Sequence, residues 1–185
     1  AGRFVTLGPT PTVLPATAYS YHDEIKSDAW TPRFGLESLV RPGALVYVSA
    51  TRGFKTGGFN LSSPAAGRGF APEWVWSYEA GLKKTIGDDR AWVNVAAFQA
   101  DHSDLQVQTS IAPAVIDISN AAEATIRGVE TEGRVQITPS VRSGGHVAWL
   151  DARYDRYIAV GVGGITGDAA GRRLSNAPEW SGRVW

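Results

Sequence analysis

Charged and uncharged residues alternate with a period of two between Val129 and Ile137. The charged and amide positions of one parity are Glu130, Glu132, Arg134 and Gln136. The opposite parity holds Val129, Thr131, Gly133, Val135 and Ile137. Because successive side chains of a β-strand point to opposite faces, this pattern predicts a strand with one wet, charged face and one weakly apolar face. Such an apolar face suits either lipid or a neighbouring protein layer.

Stretches of the same period recur along the chain, and no segment shows a convincing helical period. We predict seven strands, at Trp30–Ser38, Ala44–Phe54, Glu73–Ile86, Arg90–Thr109, Val115–Ile137, Val141–Tyr157 and Pro178–Trp185. The predicted fold class is therefore all-β, as an antiparallel up-and-down meander.

The predicted connections alternate in length. Three short ones, Leu39–Gly43, Gly87–Asp89 and Thr138–Ser140, contain residues suited to tight reversals. Longer ones, Lys55–Pro72, Ser110–Ala114 and Ile158–Ala177, fall between them. Tight turns at one end of a sheet and longer loops at the other are typical of an outer-membrane barrel, whose spanning strands need about 9 to 11 residues.

The two faces of the other strands follow from the same parity. In Glu73–Ile86 the apolar parity contains Trp74, Trp76, Tyr78, Ala80 and Leu82, whereas Glu79 and Lys83 belong to the polar parity. In Val141–Tyr157 the charged parity includes Asp151 and Arg153. Both parities of Arg90–Asp101 carry bulky apolar residues, and we assign the one with Val93 and Val95 to the outer face.

Composition narrows the classes of protein. The chain has 185 residues, a formal net charge of zero and 43% hydrophobic residues, which gives no electrostatic case for binding nucleic acid. It has no cysteine, which excludes disulfides and thiolate metal sites. No apolar run approaches the roughly 18 to 20 residues of a membrane-spanning helix. We predict no cofactor. The absence of Met leads us to expect a fragment of a longer product.

Two other classes compete with a barrel wall. A soluble β-rich carbohydrate-binding or adhesion domain would also show alternating, aromatic-rich strands. A barrel enzyme such as a lipase ranks last, because Asp101, His102 and Ser103 are adjacent on a strand and their side chains cannot converge. We find no catalytic constellation and predict that the protein is not an enzyme.

A collinear series of motifs resembles the middle of the barrel of TonB-dependent outer-membrane receptors. The motifs are Trp30–Leu36, Tyr47–Asn60, Pro72–Glu73, Ser77–Lys83, Ala97–Gln99 running into Asp104–Val107, Asn120–Ala122 with Gly128–Glu132, and Leu174–Trp180. Each is weak alone, but the order is shared over residues 28 to 185. The chain is identified as a member of this family.

The resemblance implies a barrel of about 22 strands with a plugged lumen, located in the bacterial outer membrane. It implies uptake of a scarce nutrient such as a ferric siderophore, energised by the TonB complex through an N-terminal region outside this chain. Outer-membrane lipid and lipopolysaccharide are the further expected partners. Residues 1–28 are expected to be an extracellular loop, and residues 29–185 to supply about seven strands of the barrel.

Two groups of site residues are expected. Seven should face the lumen, because charge facing lipid near the bilayer centre costs about 2 to 4 kcal/mol for Arg or Lys: Glu79, Lys83, Glu130, Glu132, Arg134, Asp151 and Arg153. Four are expected in loops, where they could meet an anionic ligand or lipopolysaccharide phosphates: Arg52, Lys55, Asn60 and Arg68. Simple solvation of the inner wall remains the alternative role for each lumen residue.

Overall fold

The computed structural model describes residues 24–60, 69–112, 115–160 and 166–185. Its strands are β1 (Arg33–Arg41), β2 (Ala44–Lys55), β3 (Gly58–Phe59), β4 (Gly69–Phe70), β5 (Glu73–Ile86), β6 (Ala91–Ala112), β7 (Val115–Thr138), β8 (Val141–Val160), β9 (Thr166–Asp168) and β10 (Trp180–Val184). Seven of them form one sheet in the order β1-β2-β5-β6-β7-β8-β10, and β9 also pairs with β8. Each neighbouring pair is antiparallel. The predicted all-β antiparallel meander is confirmed.

Every predicted strand bound lies within three residues of the observed one, and the first strand is displaced by three residues at both ends. It was predicted at Trp30–Ser38 but runs from Arg33 to Arg41. Pro32 has no backbone N–H to donate, and its carbonyl accepts a 3.0 Å hydrogen bond from the Arg52 amide. Regular pairing therefore begins only after the proline. The short strands β3, β4 and β9 were not predicted, because two or three residues leave no period to detect.

Tight turns join the strands at one end of the sheet. Between β5 and β6, Asp88 and Asp89 both have positive φ, 47° and 66°, and the Arg90 amide donates to the Gly87 carbonyl at 3.0 Å. These are the features of a type I′ turn, whose twist matches that of the flanking strands. Gly43, also at positive φ, occupies the turn between β1 and β2.

The opposite end of the sheet extends much further. Strands β6, β7 and β8 have 22, 24 and 20 residues, about twice the 9 to 11 that span a bilayer. Register shifts interrupt the β6–β7 pairing between His102 and Gln106, and the β7–β8 pairing between Glu123 and Ala124. This end of the sheet, opposite the tight turns, carries the longer connections and is called the long-loop end. Regular pairing is interrupted there by bulges.

The sheet is a single layer. Among the described residues the only buried apolar side chains are small: Ala44, Ala122, Ala124, Ala152 and Ala169. Large apolar side chains remain exposed, including Leu36 at 77% and Val48 at 52%. In the part of the chain that the structure describes, no helix is long and apolar enough to cross a membrane.

Strand register assigns every regular strand position to one of two faces, because directly paired residues of antiparallel strands share a face. One row of paired residues crosses all seven strands and defines the apolar face: Leu36, Val48, Ala80, Ala97, Val129, Trp149 and Trp180. A parallel row defines the polar face: Leu39, Leu45, Lys83, Asn94, Glu132, His146 and Arg183. The parity of β6 that contains Val93 and Val95 belongs to the apolar face, since Val95 pairs with Leu82.

Candidate functional site: the polar face and the long-loop end

Five of the seven residues expected in the lumen share the polar face. Asn94 pairs with both Lys83 and Glu132, which places these two charges on the same face. By the alternation of their own strands, Glu79, Glu130 and Arg134 also lie on it. Strands β5 and β7 therefore contribute charges of both signs to one surface.

A cluster on the polar face joins β2 to β5. The Tyr47 hydroxyl donates a 2.6 Å hydrogen bond to Oε1 of Glu79, and Nζ of Lys83 lies 5.5 Å from the Tyr47 ring centroid. Gly81, which pairs directly with Tyr47, leaves the room that the ring occupies, because a Cβ at this position would overlap the ring. The Tyr47 ring therefore lies over Gly81, with the Glu79 carboxylate at its hydroxyl and the Lys83 ammonium near the ring.

Aromatic rings cover the same face of β6. The guanidinium carbon of Arg134 lies 6.0 Å from the Trp92 ring centroid, within the range of a cation–π contact. The Phe98 ring lies over Gly128, where a Cβ would come within 2.5 Å of the ring. The polar face therefore has apolar rings between its charges and is not uniformly hydrated.

A depression of about 830 Å³ on the polar face lies along β1, β2 and β5. Charged and hydroxyl side chains line it, among them Arg33, Glu37, Tyr47, Ser49, Glu79 and Lys83. Acceptors and donors of both charges within one depression can bind a polar partner surface or ordered water. It has no concentrated charge of one sign that would favour a single small anion.

Asp151 and Arg153, the other two residues expected in the lumen, lie on the opposite face of the sheet from the first five. Asp151 pairs with Arg127, and Arg153 pairs with Thr125. The odd positions of β8 share the apolar face with Trp149, so both charges lie on that face. Their expected position in the lumen stays a prediction. These two residues follow the apolar row on the long-loop side, where an outward charge can meet water.

An ion-pair cluster surrounds Asp151. Its Oδ1 lies 2.7 Å from Nε of Arg153 and 3.6 Å from Nη1 of Arg173. Arg173 also reaches Oε2 of Glu179 at 3.5 Å and donates to the Leu150 carbonyl at 2.7 Å. The cluster fastens the segment before β10 to the edge of β8 with which it pairs, which gives these charges a structural role.

The four loop candidates have different surroundings. Arg52 and Lys55 belong to β2, and Lys55 is its last residue. Arg52 pairs with Trp76 on the apolar face and so does not lie in a loop. Asn60 does lie in the connection between β2 and β5. Arg68 lies outside the described residues.

Asn60 is 6% exposed, and both ends of its side-chain amide are occupied. Nδ2 donates to the Ile118 carbonyl at 2.9 Å, and Oδ1 accepts from the Ile118 amide at 2.9 Å. The side chain thus acts as a substitute strand neighbour for the β7 backbone. In this conformation it offers no free donor or acceptor pair to a ligand.

Two amide residues extend this contact, which the sequence analysis placed in motifs but did not name as site candidates. Asn120 accepts from the Ala71 amide at 2.7 Å and donates to the Ala71 carbonyl at 2.9 Å. Gln106 donates to the carbonyls of Thr56 and Ala71 at 2.9 and 3.0 Å. Together with Asn60 they brace the β2–β5 connection against the β6–β7 hairpin. Only the clustering of amide residues near predicted loops could have indicated this.

In the described ranges, no three His, Asp or Glu residues are grouped so that they could hold a metal ion. His102 is adjacent in sequence to Asp101 and Ser103. Its Nδ1 lies 3.2 Å from Oε1 of Glu73 on the neighbouring strand. Glu73 also accepts from the Gln106 amide at 3.1 Å. This carboxylate is therefore engaged in holding strands together at the long-loop end.

Comparison with known proteins agrees with this architecture. A family model described as TonB dependent receptor-like, beta-barrel, matches residues 4–185. The metal-pseudopaline receptor CntO of Pseudomonas aeruginosa is 29% identical over 156 residues, covering 84% of this chain and 20% of that receptor. The chain thus spans about a fifth of the length of the curated relatives it matches.

Two solved structures share the fold. The ferric yersiniabactin uptake receptor FyuA from Yersinia pestis matches with a TM-score of 0.64 and 20% identity, over 82% of this chain and 22% of that one. The closed form of the ferric-catecholate import receptor Fiu from Escherichia coli K12 matches with a TM-score of 0.61 and 20% identity, over 83% and 21%. The resemblance seen in the motifs is confirmed, and the chain belongs to the TonB-dependent receptor-like β-barrel family.

Proposed function

We propose that the protein carrying this chain is a bacterial outer-membrane receptor that imports a scarce nutrient, and that this chain is a segment of its barrel wall. Energy would be delivered by the TonB complex through a region outside this chain. The nutrient is proposed to be a metal chelate such as a ferric siderophore. The names of the similar receptors, for metal-pseudopaline, ferric yersiniabactin and ferric catecholates, support this class.

The observation that carries the proposal is the single-layered sheet with two chemically different faces. A soluble β-sandwich would cover its apolar face with a second sheet. Here Leu36, Val48 and Val147 are 77%, 52% and 47% exposed along that face. Lipid is the environment in which such a face costs nothing, and an outward apolar band with a polar interior is the pattern of outer-membrane barrels.

The charges on the polar face support the proposal that this face lines a lumen. Glu79, Lys83, Glu130, Glu132 and Arg134 would be costly against hydrocarbon but stable against water or a polar plug surface. Asp151 and Arg153 are left out of the proposed lumen set, because their register places them on the same face as Trp149. Lys55, at the long-loop end of the polar face, is the candidate that could still meet an anionic substrate.

Fractionation and uptake of the full-length product test the proposal. The product should sediment with the outer membrane and migrate faster unboiled than boiled, because a folded barrel resists detergent at room temperature. A strain lacking the gene should accumulate less radiolabelled iron or nickel when each metal is supplied as a defined chelate. A soluble periplasmic product would contradict the barrel, and normal uptake of all chelates would contradict the substrate class.

A further inference from the structure

Lys55 is a cation that faces an acid in direct register without forming an ion pair with it. It is the last residue of β2 and pairs with Glu73, the first residue of β5, on the polar face. Directly opposite residues of antiparallel strands have Cβ atoms about 4.5 to 5.5 Å apart, and opposite charges at such positions attract each other. Lys55 is nevertheless exposed, and no carboxylate in the part of the chain that the structure describes lies within ion-pair distance of its ammonium. Other contacts must therefore hold the acid away from it.

Both oxygens of the Glu73 carboxylate are engaged by β6. Oε1 lies 3.2 Å from Nδ1 of His102, and Oε2 accepts from the Gln106 amide at 3.1 Å. Because an ionised carboxylate only accepts hydrogen bonds, the proton of the neutral imidazole lies on Nδ1. The side chains of His102 and Glu73 are only 20% and 13% exposed. The carboxylate is thus held by β6 and shielded from water, whereas the Lys55 side chain on its other side is not.

The shifted register of β6 makes these contacts possible. Pairing with β7 shifts between His102 and Leu105 and again between Leu105 and Gln106, and Asp104 has a φ of 55°. Bulges of this kind turn side chains and backbone groups out of the regular ladder. The Gln106 amide is directed at the carboxylate of Glu73, and the Gln106 side chain donates to the Thr56 carbonyl at 2.9 Å. Gln106 therefore holds the acid with its backbone and the chain next to Lys55 with its side chain.

We propose that His102 and Gln106 are positioning residues for Lys55: they hold Glu73 away from it, so that its ammonium binds the anionic groups of a metal chelate at the long-loop end of the lumen. The inference rests on the proposed function, because it needs the polar face to line the lumen and the ligand to be an anionic chelate. An ammonium paired with Glu73 would have to lose that partner before it could bind an anion from outside. Occupying the acid with donors of β6 removes this competition.

The first test measures how freely the Lys55 ammonium reacts in the folded full-length receptor. The purified protein in detergent is treated briefly with an N-hydroxysuccinimide ester of acetate, and mass spectrometry of its peptides gives the acetylation rate at Lys55. In His102→Leu, Oε1 of Glu73 loses its partner and should pair with Lys55. Acetylation should then slow about two- to fivefold, the range expected of an exposed ion pair. His102→Gln should stay near the wild-type rate, because its side-chain amide can donate as Nδ1 does.

A second substitution separates positioning from a purely structural role. Glu73→Gln in the His102→Leu background removes the charge that captures Lys55 and should restore the wild-type rate of acetylation. A structural effect of His102→Leu would not be reversed by this further change. His146→Leu is the matched control, because His146 pairs with Glu132 elsewhere on the polar face, and it should leave Lys55 acetylation unchanged. Fast migration of each unboiled variant shows that it is folded, and His102→Ala replaces His102→Leu if the latter is not.

Uptake of radiolabelled iron by cells connects the positioned cation to its ligand. Iron is supplied as a trianionic ferric tris-catecholate complex and, separately, as ferric citrate. For a chelate that the wild type takes up, His102→Leu should raise the apparent KM about two- to fivefold and leave the maximal rate unchanged. Adding Glu73→Gln should lower the KM again. In a Lys55→Gln background, His102→Leu should have no further effect on the KM, since the cation that it captures is absent.

The outcomes are distinct. Wild-type acetylation of Lys55 in folded His102→Leu overturns the positioning role, and so does a slowed rate that Glu73→Gln fails to restore. Slowed acetylation with an unchanged KM overturns the role of Lys55 in binding the chelate. Absence of uptake of both chelates by the wild type contradicts the proposed function and the anionic chelate as the ligand, whereas the acetylation rates still decide whether His102 holds Glu73 away from Lys55.

Discussion

The hydroxyl of Tyr47 and the carboxylate of Glu79 are joined by a 2.6 Å hydrogen bond between neighbouring strands β2 and β5. The two residues are 32 positions apart in sequence. Because Tyr47 pairs with Gly81 and not with Glu79, the bond runs diagonally across the strand pair. It fixes the ring over the glycine and turns the carboxylate towards the barrel interior proposed above.

Replacing Tyr47 with Phe should destabilise the barrel by about 1 kcal/mol, the typical net contribution of one hydrogen bond. The ring and its packing on Gly81 remain, so that only the bond to Glu79 is lost. The measurement is the temperature at which the full-length protein loses its fast unboiled migration. Tyr78→Phe is the control, because Tyr78 is 44% exposed on the opposite face and should lower this temperature less. An equal effect of both changes would argue against a special role for the bond.

Cysteine scanning tests the assignment of the two faces. Val129→Cys and Glu130→Cys are introduced into the full-length receptor in a cysteine-free background and spin-labelled, which this chain allows because it has no cysteine. We expect the label at position 129 to collide more with oxygen, which concentrates in lipid, and the label at position 130 to collide more with a water-soluble nickel complex. The reverse pattern would exchange the two faces.

Asp151→Cys extends this test to a lumen candidate that shares the apolar face with Trp149. Its label should respond as an outward position beyond the apolar band, with access to the nickel complex from outside the barrel. A bulky soluble thiol reagent added to intact cells should therefore modify the Asp151→Cys variant but not the Glu130→Cys variant. Protection of both variants from the reagent would restore the original assignment of Asp151 to the lumen.

Breaking the ion-pair cluster should loosen one edge of β8. In Asp151→Asn, Arg153 and Arg173 lose their shared anion, and the cost should stay near 1 kcal/mol or below because the side chains are partly exposed. Hydrogen exchange should accelerate at the Leu174 amide, which donates to the Ala152 carbonyl. Glu132→Gln, a change of the same kind on the polar face, should leave exchange at Leu174 unaltered.

Loss of the Asn60 side chain should loosen the connection between β2 and β5. In Asn60→Ala the amide and the carbonyl of Ile118 each lose the partner that Asn60 supplies. Because these groups are only partly buried, each loss should cost less than the about 1 to 3 kcal/mol of a fully buried unpaired group. Limited proteolysis should then cut more readily next to Gly69 and Ala71. Ser119→Ala changes an exposed neighbour and serves as the control. Unaltered cleavage in Asn60→Ala would mean that Gln106 and Asn120 hold the connection without it.

Much of the fold is predictable because its causes are local. The turn residues of Gly87–Arg90 mark where β5 ends and β6 begins. The alternation within Glu73–Ile86 predicts a strand with the observed bounds. The polar face was predictable for Glu79 and Lys83 because apolar and polar residues alternate along β5 from Trp76 to Ala80, and Leu82 and Lys83 continue the alternation. The contacts of Asn60 with Ile118 were not, since 58 residues separate the two partners.

The sequence by itself determined that the chain forms long antiparallel strands with a polar and an apolar parity, because period two and turn residues act within a few positions. Only the tertiary structure decided how the strands align, and therefore which parity of β8 shares a face with Glu130. Register depends on pairing between distant segments, and a charge can face outward wherever its strand continues beyond the apolar band. For this reason only the structure shows that Asp151 and Arg153 share a face with Trp149, and that Arg52 stacks on Trp74 within a strand.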